Sequence, residues 1–165
     1  MEQTDTLVEA LSSYKYLIEL KLERFRFSSW ASEYLATTVN HSFELKHLDL
    51  SWSSFNSNEF ADFVHHLEQN KTLSEVNFSH ISCTSLESDK ITESVYRFIR
   101  RNKSLLHLDI SYMPLNSEEI LKICEACSKC RTLLSIHLTN SSAQSQEIKK
   151  QMRRIMRPRK RLKDF

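Results

Sequence analysis

Apolar residues recur along the chain as L-x-x-L-x-L, starting at Leu17 (LIELKL), Leu45 (LKHLDL), Leu73 (LSEVNF), Leu105 (LLHLDI) and Leu133 (LLSIHL). The starts lie 28, 28, 32 and 28 residues apart. Alternation within each motif predicts a short strand with one buried face, since side chains alternate along a strand. Five residues past the last strand position stands another apolar residue: Phe27, Phe55, Cys83, Leu115 and, weakly, Ala143. Apolar residues four apart then follow, at Leu35 and Val39, Phe63 and Leu67, Val95 and Ile99, Ile123 and Cys127. That spacing puts both members on one helix face. NSNEFADF and NSEEILKI open with Asn/Ser followed by acids, which suits a helix N-terminus. Each unit therefore reads as strand, turn and helix, and buries its apolar face only by stacking on the next unit.

The pattern resembles the leucine-rich repeat family, and within it the ribonuclease-inhibitor-like subtype of ~28-residue repeats. The resemblance spans about residues 15–143. It implies an α/β fold: a right-handed leucine-rich repeat solenoid of about five strand-turn-helix units, with a parallel concave sheet, convex helices and protein recognition as the usual task. Two departures stand out. Where the family places Asn or Cys to hydrogen-bond the turn, this chain has Phe25, Ser53, Ile81, Met113 and Ser141, so irregular turns are expected. The third unit is four residues longer, and the excess is expected within ISCTSLESDKITESVY.

The expected organisation has three parts. Residues 1–14, with Leu7 and Leu11 at helical spacing, form an N-terminal capping helix or partial repeat; they equally fit a chain that begins inside a longer array. Residues 15–143 form the repeats. Residues 144–165 form a basic C-terminal capping helix and tail, with Ile148, Met152 and Ile155 inward until Pro158.

Outward-facing positions line up in rows across such a sheet. The first row is Glu19, His47, Glu75, His107, Ser135; the second is Lys21, Asp49, Asn77, Asp109, His137. The third is Glu23, Ser51, Ser79, Ser111, Thr139. The fourth, at the sheet edge, is Arg24, Trp52, His80, Tyr112, Asn140. Trp, Tyr and Arg are enriched at interaction hot spots. The candidate partner-binding residues are therefore Arg24, Trp52, His80 and Tyr112 as a ridge, with His47, Asp49, His107 and Asp109 beside it. The competing reading folds Trp52 and Tyr112 over the turns to cover Phe55 or Met113. Alternating Glu and His in the first row also fits cross-strand charge pairing, which is preferred to a metal site.

Charge is distributed unevenly. Residues 1–148 carry 14 Lys/Arg and 20 Asp/Glu, whereas residues 149–165 carry 9 Lys/Arg and Asp164 alone. The candidate binding residues of this basic end are Lys149, Lys150, Arg153, Arg154, Arg157, Arg159, Lys160 and Arg161. Three readings compete for it: docking on an acidic protein surface, binding of nucleic acid or anionic lipid, and a solvated cap. RPRKRLK also matches a weak nuclear-import pattern. In CEACSKC, Cys124, Cys127 and Cys130 have ligand-like spacing, but Cys127 falls in an apolar helix slot, so core packing is the expectation.

The chain contains no glycine, which argues against phosphate-cradling loops, and it shows no nucleophile-base constellation. It is therefore expected to be no enzyme and to need no cofactor, metal or small-molecule substrate. The N-terminus lacks a signal-peptide core and no apolar run approaches bilayer length. The expected location is cytoplasmic, with cytoskeletal and ciliary sites as options and a nuclear one left open. The expected function is that of a non-catalytic protein-protein interaction adaptor or structural subunit, working through the concave face and basic helix inside a multi-subunit assembly. The alternative is a polyanion-binding module, for RNA, an acidic filament surface or anionic lipid, worked by the basic tail.

Overall fold

The computed structural model describes residues 3–11, 13–83, 88–139 and 145–156. Five three-residue strands form one parallel sheet in the order β1 (Glu19–Lys21), β2 (His47–Asp49), β4 (Glu75–Asn77), β6 (His107–Asp109) and β7 (Ser135–His137). The strands pair in phase, so that Leu20, Leu48, Val76, Leu108 and Ile136 are mutual partners across the sheet. The first four of these are buried and Ile136 partly so, which is the alternation expected of a sheet with one covered face. A second, two-stranded sheet pairs β3 (Ser54–Phe55) with β5 (Ser82–Cys83), and Arg26 bridges to Ser54 beside it. The sequence pattern did not predict this second sheet.

Helices α1 (Gln3–Leu11), α2 (Ser29–His41), α3 (Ser57–Leu67), α4 (Ser88–Arg101), α5 (Ser117–Lys129) and α6 (Gln146–Ile155) complete the described fold. Their starts follow capping chemistry. Asn56 with Glu59, and Asn116 with Glu119, close reciprocal capping boxes, while Ser28 and Ser145 accept from Ala31 N and Ile148 N, each at 3.1 Å. Leu35, Val39, Phe63, Leu67, Val95, Ile99 and Ile123 are buried in one continuous core, with Cys127 at its margin. Five phenylalanines interlock there: the Phe27 and Phe55 rings stack at 4.5 Å, and Phe60 meets both Phe55 and Phe78 edge-on, while Phe63 lies beside them. In α1 the structure buries Val8 and leaves Leu7 exposed, so the helix is turned relative to the Leu7/Leu11 expectation; Leu11 is partly buried.

The helix-to-strand connections are held by a device the hydrophobic pattern does not signal. Asn70 and Asn102 are buried just beyond α3 and α4. Asn102 Oδ1 accepts from Ser104 N (2.9 Å) and Leu105 N (2.8 Å), and its Nδ2 donates to Leu67 O and Asn70 O, both at 2.9 Å. Asn70 closes its own loop identically, through Thr72 N and Leu73 N. Each asparagine thus closes one loop and ties it to the preceding one, satisfying backbone groups that have no helix or strand partner. Cys130 occupies the equivalent place after α5, with Sγ 3.4 Å from Thr132 Oγ1.

Asn70 and Asn102 are 32 residues apart, whereas Phe55 and Cys83 pair at an offset of 28. The extra residues of the longer unit therefore fall between Cys83 and Asn102, and 84–87 lie outside the described residues. On the helix layer Glu68, its side chain only 1% exposed, is gripped by Arg97 Nε (3.1 Å), Arg101 Nη1 (2.9 Å) and His65 Nδ1 (3.0 Å). Burial pushes the Glu68 carboxyl up, but the bonds from His65 and Arg101 and the charge of Arg97 outweigh it and hold its pKa below the ordinary value.

Candidate functional site

Each of the first four strands leaves the sheet through a corner that requires left-handed backbone, and the chain has no glycine to supply it. Arg24, Trp52, His80 and Tyr112 take that conformation, with φ of 62°, 63°, 57° and 59°. For a residue with a Cβ this region costs roughly 1–2 kcal/mol. Local hydrogen bonds offset the cost. Asp49, Asn77 and Asp109 each accept on Oδ1 from the backbone N–H two residues on, at 2.8, 2.9 and 2.8 Å. The corner N–H groups then donate to the next corner: Arg24 to Ser51 O, Trp52 to Ser79 O, His80 to Ser111 O and Tyr112 to Thr139 O.

The apolar corner residues behave differently from expectation. Ile81 and Met113 are buried, and backbone bonds to Phe78 O and Ile110 O close their turns. The Ser53 hydroxyl reaches into the preceding corner, that of Arg24, donating to Leu22 O and accepting from Phe25 N. The corners close without the Asn or Cys of the family pattern, because the left-handed residue does that work together with an Asx bond in three corners and the Ser53 hydroxyl in the first.

These corners set three rings in register. The imidazole of His80 lies 3.7 Å from the Trp52 ring at 8° and 4.3 Å from the Tyr112 ring at 15°. Trp52 and Tyr112 each remain 54% exposed. The three rings cover one another's faces. Their edges and polar atoms stand in solvent on a rigid base, with exposed Arg24 at the head of the row.

Beside the ridge, the open face of the main sheet forms a shallow depression of about 340 Å³ that includes His47, Asp49, Glu75, Asp109 and His107. His47 Nδ1 pairs with Glu75 at 3.0 Å, and Asn77 Nδ2 donates to Asp49 Oδ2 at 2.9 Å. His107 Nδ1 meets Ser135 Oγ at 2.6 Å, and among the described residues no carboxylate bonds its other ring nitrogen. The structure thus brings Arg24, Trp52, His80, Tyr112, His47, Asp49, His107 and Asp109 onto adjoining surface. Asp49 and Asp109 each have one carboxylate oxygen committed to a corner, a role their outward-facing position did not announce.

The basic residues lie elsewhere. Lys149, Lys150, Arg153 and Arg154 are exposed on α6, and none makes an ion pair among the described residues; Met152 and Ile155 pack inward. Arg157, Arg159, Lys160 and Arg161 lie outside the described residues. Cys124 is buried and Cys83 and Cys127 are at the core margin. Burial pushes the Cys83 and Cys124 thiols up to about 11 and Cys127 to about 12. At Cys130 burial acts in the same direction, but the Thr132 hydroxyl and loop N–H groups prevail and hold its pKa below the ordinary value. No described helix is long and apolar enough to cross a membrane.

No protein-family model matches the chain, and no curated protein matches its sequence at a significant level. Solved structures do match. One, described as Leiomodin-1 Actin-Binding Site 2, aligns with TM-score 0.72 at 12% identity, covering 94% of this chain and 88% of that one. Another, a tropomodulin C-terminal domain from Caenorhabditis elegans, aligns with TM-score 0.65 at 14% identity, covering 94% and 92%. These matches overturn the resemblance to the ribonuclease-inhibitor-like subtype, whose 28-residue repeats are not shown. L-x-x-L-x-L reports a strand and its buried face. The connections, which the motif does not report, depart here from the subtype's turn pattern and include the 32-residue step from Glu75 to His107. At these identities the likeness is one of fold: the chain is a mixed α/β domain with a parallel sheet and helices, matching the leucine-rich-repeat-like domain of leiomodin and tropomodulin.

Proposed function

We propose that this chain is a non-catalytic protein-binding domain whose working surface is the corner ridge of Arg24, Trp52, His80 and Tyr112 together with the adjoining concave face. One observation carries the reading: three stacked rings stand on three of the four strained backbone positions, with Trp52 and Tyr112 half in solvent. Strain of this kind persists where surrounding structure over-determines it and clusters at binding sites. Preorganised aromatic anchors are also what interaction hot spots use. The His107–Ser135 pair does not favour an enzyme, because a serine nucleophile also needs an orienting group on its base and an oxyanion cradle.

In this reading the five strands and their helices are a short solenoid, residues 15–143 its body, α1 one cap and the basic 144–165 segment the other. The domain acts as an adaptor or structural subunit in a larger, cytoskeletal assembly. The leiomodin neighbour is described as an actin-binding site, so actin is the first partner to test. A second reading, polyanion binding through the basic end, draws support from the four exposed cations of α6, which make no ion pair among the described residues.

Co-sedimentation with filamentous actin, alongside crosslinking capture from the native source, tests both. Trp52→Ala/Tyr112→Ala should abolish capture of the partner while the chain stays folded. Charge reversal at Lys149, Lys150, Arg153 and Arg154 should weaken it less. Loss on charge reversal alone would move the function to α6, and capture unchanged in the ring variant would remove the ridge from it.

A further inference from the structure

The chain enters every strand of the main sheet along the rim opposite the ridge. Strand phase keeps this rim level: Ile18 O accepts from Lys46 N, Lys46 O from Ser74 N, Ser74 O from Leu106 N, and Leu106 O from Leu134 N, at 2.8–2.9 Å. Three residues earlier in each connection stands an exposed row of Lys15, Phe43, Lys71, Lys103 and Arg131. None of these four cations makes an ion pair among the described residues. Glu44 is the exposed acid of this rim, since Glu68 is buried in its ion-pair cluster. The body of the chain is net acidic, yet these four cations share one rim.

Cations just past helix C-termini complement the helix dipole, which accounts for Lys15, Lys71, Lys103 and Arg131 after α1, α3, α4 and α5. It does not account for the apolar residues beside them. Tyr16 and Leu134 are 73% exposed, Phe43 66% and Ile18 57%. Large apolar side chains in water, interleaved with cations along a level edge, match a flat anionic interface. The apolar groups enter the headgroup layer while the cations meet its charge. We propose that this rim docks the domain on an anionic lipid surface, independently of the ridge and of α6.

Vesicle flotation of the full chain tests this, using phosphatidylcholine vesicles with and without phosphatidylserine. The chain should float with the phosphatidylserine vesicles, weakly with phosphatidylcholine alone, and less as salt rises. Lys71→Glu/Lys103→Glu/Arg131→Glu should lower binding about tenfold or more. Phe43→Ser/Leu134→Ser should lower it at unchanged charge, and circular dichroism melts should show both variants folded. Charge reversal on α6 should leave most of the binding intact. Equal flotation on both vesicle types, or wild-type binding by the folded triple variant, overturns the proposal. So does binding to soluble polyglutamate without flotation, which would assign the rim to an acidic protein.

Discussion

The His80 imidazole lies 3.7 Å from the Trp52 ring and nearly parallel to it, although 28 residues separate the two. Both residues occupy left-handed corners, so backbone geometry rather than side-chain flexibility sets their stacking. Replacing Tyr112, at the far end of this stack, separates backbone from ring. Tyr112→Ala keeps the strained corner and loses the ring; Tyr112→Gly loses the ring and relieves the corner. The glycine variant should be more stable than the alanine one by about 1 kcal/mol, read from urea unfolding. Equal stability in the two would show that the corner stores no strain.

Glu68 gives the domain an acid-sensitive joint between α3 and α4. Glu68→Gln should cost about 2 kcal/mol, less than the ~3–5 kcal/mol of a fully buried pair, because Arg97 and Arg101 reach solvent. The lowered pKa means that the folded state binds this proton less tightly than the unfolded chain does. Its contribution is complete above the ordinary carboxylate range and is lost as pH falls through the lowered folded value. Urea midpoints across an acidic pH series should fall in the parent chain and fall less steeply in Glu68→Gln.

Asn102 joins two loops through four hydrogen bonds to backbone groups in a buried site. Asn102→Ala should destabilise the fold by about 2 kcal/mol or more, because it leaves buried backbone groups unpaired. Asn102→Asp retains the acceptor and loses the donors, so no recovery of stability is expected. A change under 0.5 kcal/mol, the scale of an ordinary surface substitution, would remove the asparagine from this role.

Cys130 differs from its neighbours in reactivity. Its thiol is held below the ordinary value while burial raises Cys83, Cys124 and Cys127. Limited alkylation of the native chain near neutral pH, mapped by mass spectrometry, should therefore modify Cys130 first. Earlier labelling of Cys127 would contradict the arrangement of α5.

Much of this domain is legible in the order of its residues. Strand positions, the covered face, the helix faces and the Asn/Ser caps are local and periodic, and burial rewards the period directly. The corner row of Arg24, Trp52, His80 and Tyr112 is legible for the same reason, since a fixed offset within each unit becomes a line across the sheet. The connections are not legible in this way. The family turn residue is absent, and the corners are closed by left-handed backbone at non-glycine residues and by Asp49, Asn77 and Asp109, a combination no composition rule announces.

The sequence by itself determined which residues are inside and that the units stack, because these follow from hydrophobic spacing. Only the tertiary structure decided that Trp52, His80 and Tyr112 stack face to face and that Asn70 and Asn102 bolt successive loops together. It also decided that Lys15, Lys71, Lys103 and Arg131 share a rim with Phe43. Each of these joins residues 28 or more positions apart, and chain packing alone sets distances of that kind.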